Sequence, residues 1–359
     1  MTKKRCAVVG ATGIAGQQFL VALDGHPWFE VVRLAASERS AGKTYAKAIR
    51  DDKTGARRWW CVEAPPSSVL DLRVETGERL DLDGIDVVFS AVESDAARTL
   101  EPRYAKTAAV LSTASAFRDA DDVPILVPGV NHAHAARIDR QRRRRGWSGF
   151  IVPLPNCTTM GLVVTLKPLL DRFGIERVIM TSMQGVSGAG RSPGVMALDI
   201  VDNVIPYIPG EEEKVARETG KVLGTMGDHG IVPATFPVSA TCTRAAVTEG
   251  HTEAVTVSLG RRATPEDVAA AFGEFDGGLR GLPSAPRRLI TVHDDPFRPQ
   301  PRLDRDADGG MTTSVGRIRE DGALDHGIKY VLVSHNTKMG AAKGAVLAAE
   351  YLLTAGYIR

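Results

Sequence analysis

The stretch Cys6-Ala7-Val8-Val9-Gly10-Ala11-Thr12-Gly13-Ile14-Ala15-Gly16 decides how the chain starts to fold. Uninterrupted apolar residues read as a short strand buried on both faces, and the glycines at Gly10-x-x-Gly13-x-x-Gly16 read as a tight turn into a helix over residues 17–23. At such a turn a pyrophosphate can approach backbone N–H groups, because the unpaired N–H groups and the helix dipole both favour negative charge. The spacing has one residue more between the first two glycines than G-x-G-x-x-G, a variant of the dinucleotide fingerprint. Gly10, Thr12, Gly13 and Ile14 are therefore candidate cofactor residues.

Working outward, a second strand over residues 30–36 runs into Ser37-Glu38-Arg39-Ser40-Ala41-Gly42-Lys43, where such folds meet the adenosine ribose. A carboxylate there binds a 2′-hydroxyl, whereas hydroxyls with an arginine accept a 2′-phosphate. Ser37, Arg39 and Ser40 thus favour NADP as cofactor. Residues 85–92 read as a further buried strand, followed by a helix near residues 96–106, a strand at 109–112 and a loop through Arg118. This alternation predicts an α/β fold, with a Rossmann-type parallel sheet forming a nucleotide domain over residues 1–155. Residues 50–66, with Arg57-Arg58-Trp59-Trp60 inside them, read as a surface excursion.

The second informative stretch is Leu154-Pro155-Asn156-Cys157-Thr158-Thr159-Met160-Gly161. A strand ending at Pro153 enters a turn, and Leu162, Val163, Val164, Leu166, Leu169 and Leu170 mark the buried face of a helix. A thiol at that helix start feels the positive end of the dipole, so Cys157 is expected to be a nucleophile partly ionised near neutral pH. Beyond it lie a strand at residues 178–183 and a Gly/Ser loop from Gln184 through Ser187, Gly188 and Arg191. A helix starting at Glu211-Glu212-Glu213-Lys214 follows, then a strand at 232–240 leading to Arg244, and one at 254–259 after His251. With a helix at 264–275 and strands at 311–318 and 329–334, these predict a second α+β domain over residues 156–339. Its broad antiparallel sheet is expected to carry Arg244 and His251 on hairpins and to serve dimerisation, while a closing helix at 340–354 returns to the first domain.

Composition bounds the rest. At 359 residues the chain is long enough for two domains, and 43% hydrophobic with 25% charged residues is ordinary for a soluble protein. A net charge of +2 gives no drive toward nucleic acid or membrane. The run Arg140-Gln141-Arg142-Arg143-Arg144-Arg145 has no accompanying aromatic repeat and reads as a solvated basic face at a helix end before Gly146. Cys6, Cys61, Cys157 and Cys242 have no paired spacing, which fits reduced thiols and no metal site. No signal peptide and no apolar run of about 18 residues appear, so a cytoplasmic location is expected.

Taken together, the motifs resemble the aspartate-β-semialdehyde dehydrogenase family, in its archaeal and fungal branch. The resemblance is carried by Gly10-Ala11-Thr12-Gly13, by residues 36–43, by Pro155-Asn156-Cys157-Thr158-Thr159 and by Val186-Ser187-Gly188-Ala189-Gly190. It continues through residues 202–208, through Gly210-Glu211-Glu212-Glu213-Lys214 and through Glu249-Gly250-His251-Thr252. It implies NADPH-dependent reduction of β-aspartyl phosphate to the semialdehyde through a thioester on Cys157. It implies His251 as general acid and base, Gln184 as the residue orienting substrate, Arg244 as the grip on the substrate carboxylate and Glu211 as the partner of its amine. Arg118 and Lys214 match the phosphate-binding pair, Asn156 joins the substrate site, and Ser187, Gly188 and Asn336 match residues near the nicotinamide. A homodimer or homotetramer is implied as well.

Some positions depart from the family pattern. Ala245-Ala246 stand where valine and proline are usual, Glu249 where aspartate is more frequent, and Met339 precedes Gly340 where arginine is usual. These changes touch the pocket wall and cofactor edge, leaving malonyl-CoA reductase as a related alternative and N-acetylglutamyl-phosphate reductase as a more distant one. A non-catalytic NADP-sensing regulator, touching nucleic acid through Arg142 to Arg145, is the alternative from another class.

Overall fold

A computed structural model describes residues 2–190, 194–228 and 230–359. Strands β1 (Lys4–Val9), β2 (Phe29–Ala36), β3 (Val74–Thr76), β4 (Val87–Ser90), β5 (Ala109–Ser112) and β6 (Phe150–Pro153) form a parallel sheet in the order β3-β2-β1-β4-β5-β6. The order reverses beside β1, and in open sheets of this kind the crevice at that point, beyond the carboxyl ends of the strands, receives ligands. β4, β5 and β6 are buried throughout, as their unbroken apolar sequences require.

The turn after β1 is set by close approach. Gly10 has φ +79°, and a Cβ on it would stand 2.2 Å from the Ala91 carbonyl oxygen, while one on Gly16 would stand 2.1 Å from the Gly10 oxygen. Only glycine lets the helix Ile14–Leu23 start so close to the strand ends. Phe19, Phe29 and Phe89 pack beneath, with ring centroids 5.1 and 6.0 Å apart. The helix Ala342–Thr354 lies against Ile14–Leu23. A buried contact of 2.9 Å between His26 Nε2 and Glu350 Oε1 clasps the two regions, so the end of the chain completes the first core.

The second sheet contains β7 (Ile175–Gln184), β8 (Val204–Ile205), β11 (Val238–Ala245), β12 (His251–Leu259), β13 (Ile290–His293), β14 (Thr313–Asp321) and β15 (Gly327–Ser334); β9 (Thr225–Met226) and β10 (Ile231–Val232) pair separately. Its order is β13-β14-β15-β12-β7-β11-β8, and it is mixed rather than antiparallel: β11 runs parallel to β7, and β13 parallel to β14. Arg244 and His251 consequently do not share a hairpin. Residues 246–250 carry the chain across the end of β7, which separates β11 from β12. The strand expected at 232–240 starts later, at Val238, because Pro233 and Pro237 cannot donate to a ladder.

One face of this sheet receives the helix Cys157–Phe173, packed on β7, β12 and β15, and the helix Glu211–Val222 packed on β11. The other face is open at β7, where Ile179 and Met183 are 45% and 37% exposed. Alternation along β12 turns His251, Glu253 and Val255 inward. Glu253 is fully buried between Ser182 and Leu332, and neither carboxyl oxygen has a hydrogen-bond partner among the described residues.

Burial raises the Glu253 carboxyl well above the usual range, so the folded protein keeps a proton that the unfolded chain releases. Stability from this group is fully present below the ordinary carboxylate pKa and declines as pH rises above it. In Glu253→Gln that decline disappears: the melting temperature relative to the parent protein rises progressively from pH 4 to pH 8. A constant difference across that range would contradict the assignment.

Candidate active site

Cys157 is the first residue of its helix, and the Asn156 side chain caps that helix by accepting the Thr158 N–H at 2.8 Å. The sulfur lies 3.1 Å from His251 Nε2. His251 Nδ1 accepts the Gly185 N–H at 3.1 Å, which leaves the ring proton of the neutral imidazole on Nε2, facing the sulfur. Burial first, then the positive fields of Arg244 and His335, hold His251 down to about 3. The ring is therefore a neutral donor.

Partial ionisation of Cys157 at rest is not what the folded environment favours. Burial, followed by the Glu211 carboxylate, pushes the thiol up to about 12, against the opposing pull of Arg244, Arg118 and the Thr158 N–H. The helix terminus acts in the expected direction but desolvation outweighs it.

Strand pairing supplies the remaining geometry. Arg244 on β11 is in register with Gln184 on β7, and His251 opens β12 on the far side of β7. Arg244 Nη1 donates to the Gly185 carbonyl at 2.8 Å, and Gln184 Nε2 to Ser182 Oγ at 3.2 Å. Gln184, Glu211, Lys214 and Arg244 line a cavity of about 370 Å³ that reaches Asn156, Cys157 and Gly188.

A larger cavity of about 970 Å³ opens on the other side of the cysteine. Thr12, Gly13, Ile14, Arg39, Arg118, Asn156, Ser187, Gly188, Lys214 and Asn336 line it, whereas Gly10 sits in the turn beneath. Of Ser37, Arg39 and Ser40, Arg39 alone faces this space. Ser37 is exposed elsewhere and Ser40 is 2% exposed, its N–H bonded to the Ser37 carbonyl within a turn. Asn336 Oδ1 accepts the Gly250 N–H and its Nδ2 donates to Ser187 Oγ, both at 2.8 Å, tying the loop before His251 to the Gly/Ser loop. Arg191, which the sequence places in that loop, lies outside the described residues together with Ser192 and Pro193.

Residues 50–66 form the expected surface excursion, mostly exposed and without helix or strand, and part of it also walls the site. Asp51, Thr54, Ala56, Arg57 and Arg58 form part of the large cavity's wall. Gln17, only 2% exposed, fixes them by donating to the Arg58 carbonyl at 2.8 Å and accepting the Trp60 N–H at 2.6 Å. The sequence signal was the cluster Arg57-Arg58-Trp59-Trp60, which no periodicity explained. The other arginine run turns to structural use: Arg142 donates to the Ser148 and Tyr357 carbonyls, and Arg145 pairs with Asp122 and stacks over Trp147.

Fold and site together define a class: a nucleotide-dependent oxidoreductase, with a cysteine thiol where its two cavities meet. Residues 5–138 match the model for the semialdehyde dehydrogenase NAD binding domain, and residues 166–339 that for the semialdehyde dehydrogenase dimerisation domain. The aspartate-semialdehyde dehydrogenase of Methanothermobacter thermautotrophicus is 46% identical over 96% of this chain and 97% of its own length. A crystal structure of the Candida albicans aspartate semialdehyde dehydrogenase with NADP superposes with a TM-score of 0.87, at 39% identity, covering 99% of this chain and 100% of that one. Aspartate semialdehyde dehydrogenase II of Vibrio cholerae, complexed with ASA, has a TM-score of 0.77 at 28% identity, covering 99% of both chains. The chain belongs to the aspartate-semialdehyde dehydrogenase family.

Because the resting thiol is protonated, alkylation of Cys157 by iodoacetamide accelerates about tenfold per pH unit from pH 7 to 9, with no plateau. Glu211→Gln removes a carboxylate that raises the thiol and so alkylates faster at pH 8. A rate already flat below pH 8 would refute the buried-thiol reading.

Proposed function

We propose that this chain reduces β-aspartyl phosphate to aspartate β-semialdehyde with NADPH, through a thioester on Cys157. The observation that carries the reading is the 3.1 Å contact between Cys157 and His251 at the junction of the two cavities, with Gln184 and Arg244 alongside. The cofactor fits the larger one: the glycine turn admits backbone where a Cβ would clash, the Ile14–Leu23 helix starts there, and Arg39 and Arg57 stand in its wall as cations for a 2′-phosphate. When bound, NADPH supplies a hydride to the acyl carbon.

The chain's own residues do the rest. Arg244 grips the substrate carboxylate, Glu211 meets its amine, Gln184 orients it, and Arg118 with Lys214 and Asn156 receives the phosphate. The Cys157 sulfur bonds to the acyl carbon as the carbon–oxygen bond to phosphate breaks, and the thiol proton leaves with the phosphate. His251, already carrying a proton on Nε2, stabilises the oxyanion as a donor rather than collecting the thiol proton as a base. Collapse of the reduced thiohemiacetal breaks the carbon–sulfur bond, releases the aldehyde and returns a thiolate that solvent reprotonates. Glu211 in the smaller cavity supports an aminated substrate over malonyl-CoA, which has no amine for it.

Residues 1–155 with the helix at 340–359 act as the NADP-binding half in this reading, and residues 156–339 as the catalytic and dimerising half, in the cytoplasm. Ile179, Met183, Val204 and Tyr207, all exposed near β7 and β8, form the face of a homodimer.

Aspartate semialdehyde and phosphate drive NADPH formation, NAD replaces NADP poorly, and malonyl-CoA is not reduced. Cys157→Ala falls to background, and Arg244→Lys raises KM for the semialdehyde about tenfold. Phosphate-dependent turnover surviving Cys157→Ala overturns the reaction, and efficient malonyl-CoA reduction moves it to the related enzyme. Replacing Ile179 and Met183 by aspartate yields monomers by light scattering; an unchanged mass places the interface elsewhere.

A further inference from the structure

Glu218 belongs to no motif and lies in the middle of the helix Glu211–Val222, yet it is only 1% exposed. One carboxyl oxygen accepts from Arg118 Nη1 at 3.0 Å, and the other accepts the backbone N–H of Asn156 at 2.5 Å. Asn156 in turn caps the helix that carries Cys157. A single carboxylate therefore touches both an arginine in the cavity wall and the turn that presents the nucleophile.

The arginine's own bonds show what this contact does. Arg118 Nη2 donates to the Thr113 carbonyl at 2.9 Å, so the guanidinium plane is held at two corners. Its Nε–H has no partner among the described residues although Arg118 is only 6% exposed and lines the large cavity beside Asn156 and Cys157. The Nε–H is buried away from the cavity, so it is the part of the guanidinium exposed in the cavity wall that can meet an anion seated there. The same helix secures the loop on either side: Arg217 pairs with Asp119 at 2.6 Å, and Lys221 donates to the Arg118 and Ala120 carbonyls at 2.6 and 2.9 Å. Lys214 and Glu218 stand one turn apart, so one helix supplies a phosphate cation directly and aims a second through its carboxylate.

We propose that Glu218 is a positioning residue that locks the phosphate-facing guanidinium of Arg118 to the backbone of the cysteine turn. The inference deepens the phosphate reading of this cavity and rests on it. Removing the negative charge frees the arginine to rotate out of the cavity wall, while the turn keeps a carbonyl acceptor in Glu218→Gln.

The test uses inorganic phosphate as probe and the alkylation of Cys157 as readout. Phosphate slows alkylation of the unmodified protein, and in Glu218→Gln the half-protecting concentration rises at least tenfold. Glu218→Asp, which keeps the charge on a shorter arm, falls between the two. In turnover KM for phosphate rises in the same order while KM for NADP holds; the melting temperature of Glu218→Gln falls, because a buried guanidinium loses its counter-charge. An unchanged half-protecting concentration in Glu218→Gln overturns the proposal. So does a loss of NADP affinity in step with phosphate affinity, and so does a lack of protection in the unmodified protein. If phosphate protects as stated but no semialdehyde is oxidised, Glu218 keeps its role and the assigned reaction falls.

Discussion

The pairing of β7 with a parallel strand on one side and an antiparallel strand on the other is the constraint on which the site depends. It brings the end of β11, the end of β7 and the start of β12 to one level, so that Arg244, Gln184 and His251 stand side by side although they come from three separated segments. The helix Cys157–Phe173 packs on the same face with its first residue pointed at that edge. Neither element makes a reactive centre alone. Their meeting sets a partly exposed sulfur against a fully buried imidazole and a buried guanidinium, and charge interactions there count for more than in solvent.

Enclosure sets the chemical character of the resting state. A thiol without its proton would need a solvation that the surroundings do not provide, and an imidazole with two protons would face the Gly185 N–H. Both groups therefore rest in neutral form, with Arg118, Lys214 and Arg244 as cations in the adjoining cavity walls. A neutral sulfur is also a poor target for adventitious oxidants, so the arrangement protects Cys157 from them.

Much of this was readable from residue order. The parallel sheet followed from unbroken apolar runs between glycine turns, and the position of Cys157 at a helix start followed from Pro155-Asn156 ahead of an apolar face. Arg244 and His251 were legible as chemistry, but their placement on either side of β7 was not. Sequence neighbours suggest a hairpin, and only long-range pairing inserts a third strand between them. That residues 50–66, a surface excursion as read, also wall the large cavity was hidden for a similar reason, since their fixation depends on Gln17, far away in sequence. The thiol's state depended on desolvation, which a local motif does not report. Glu218 and Glu253 carried no signal at all, a glutamate in a helix or strand being an ordinary surface residue until the fold buries it.

The clasp between His26 and Glu350 has a consequence for how the protein is made. The apolar side of Ile14–Leu23, with Phe19 and Leu20 on it, is covered by a helix that a ribosome synthesises more than three hundred residues later. Until then the earliest part of the nascent polypeptide carries an unfinished greasy flank while the later sheet is forming beside it. Emergence order and assembly order are thus opposed, and this flank of the first helix stays open to solvent until the last helix has been made.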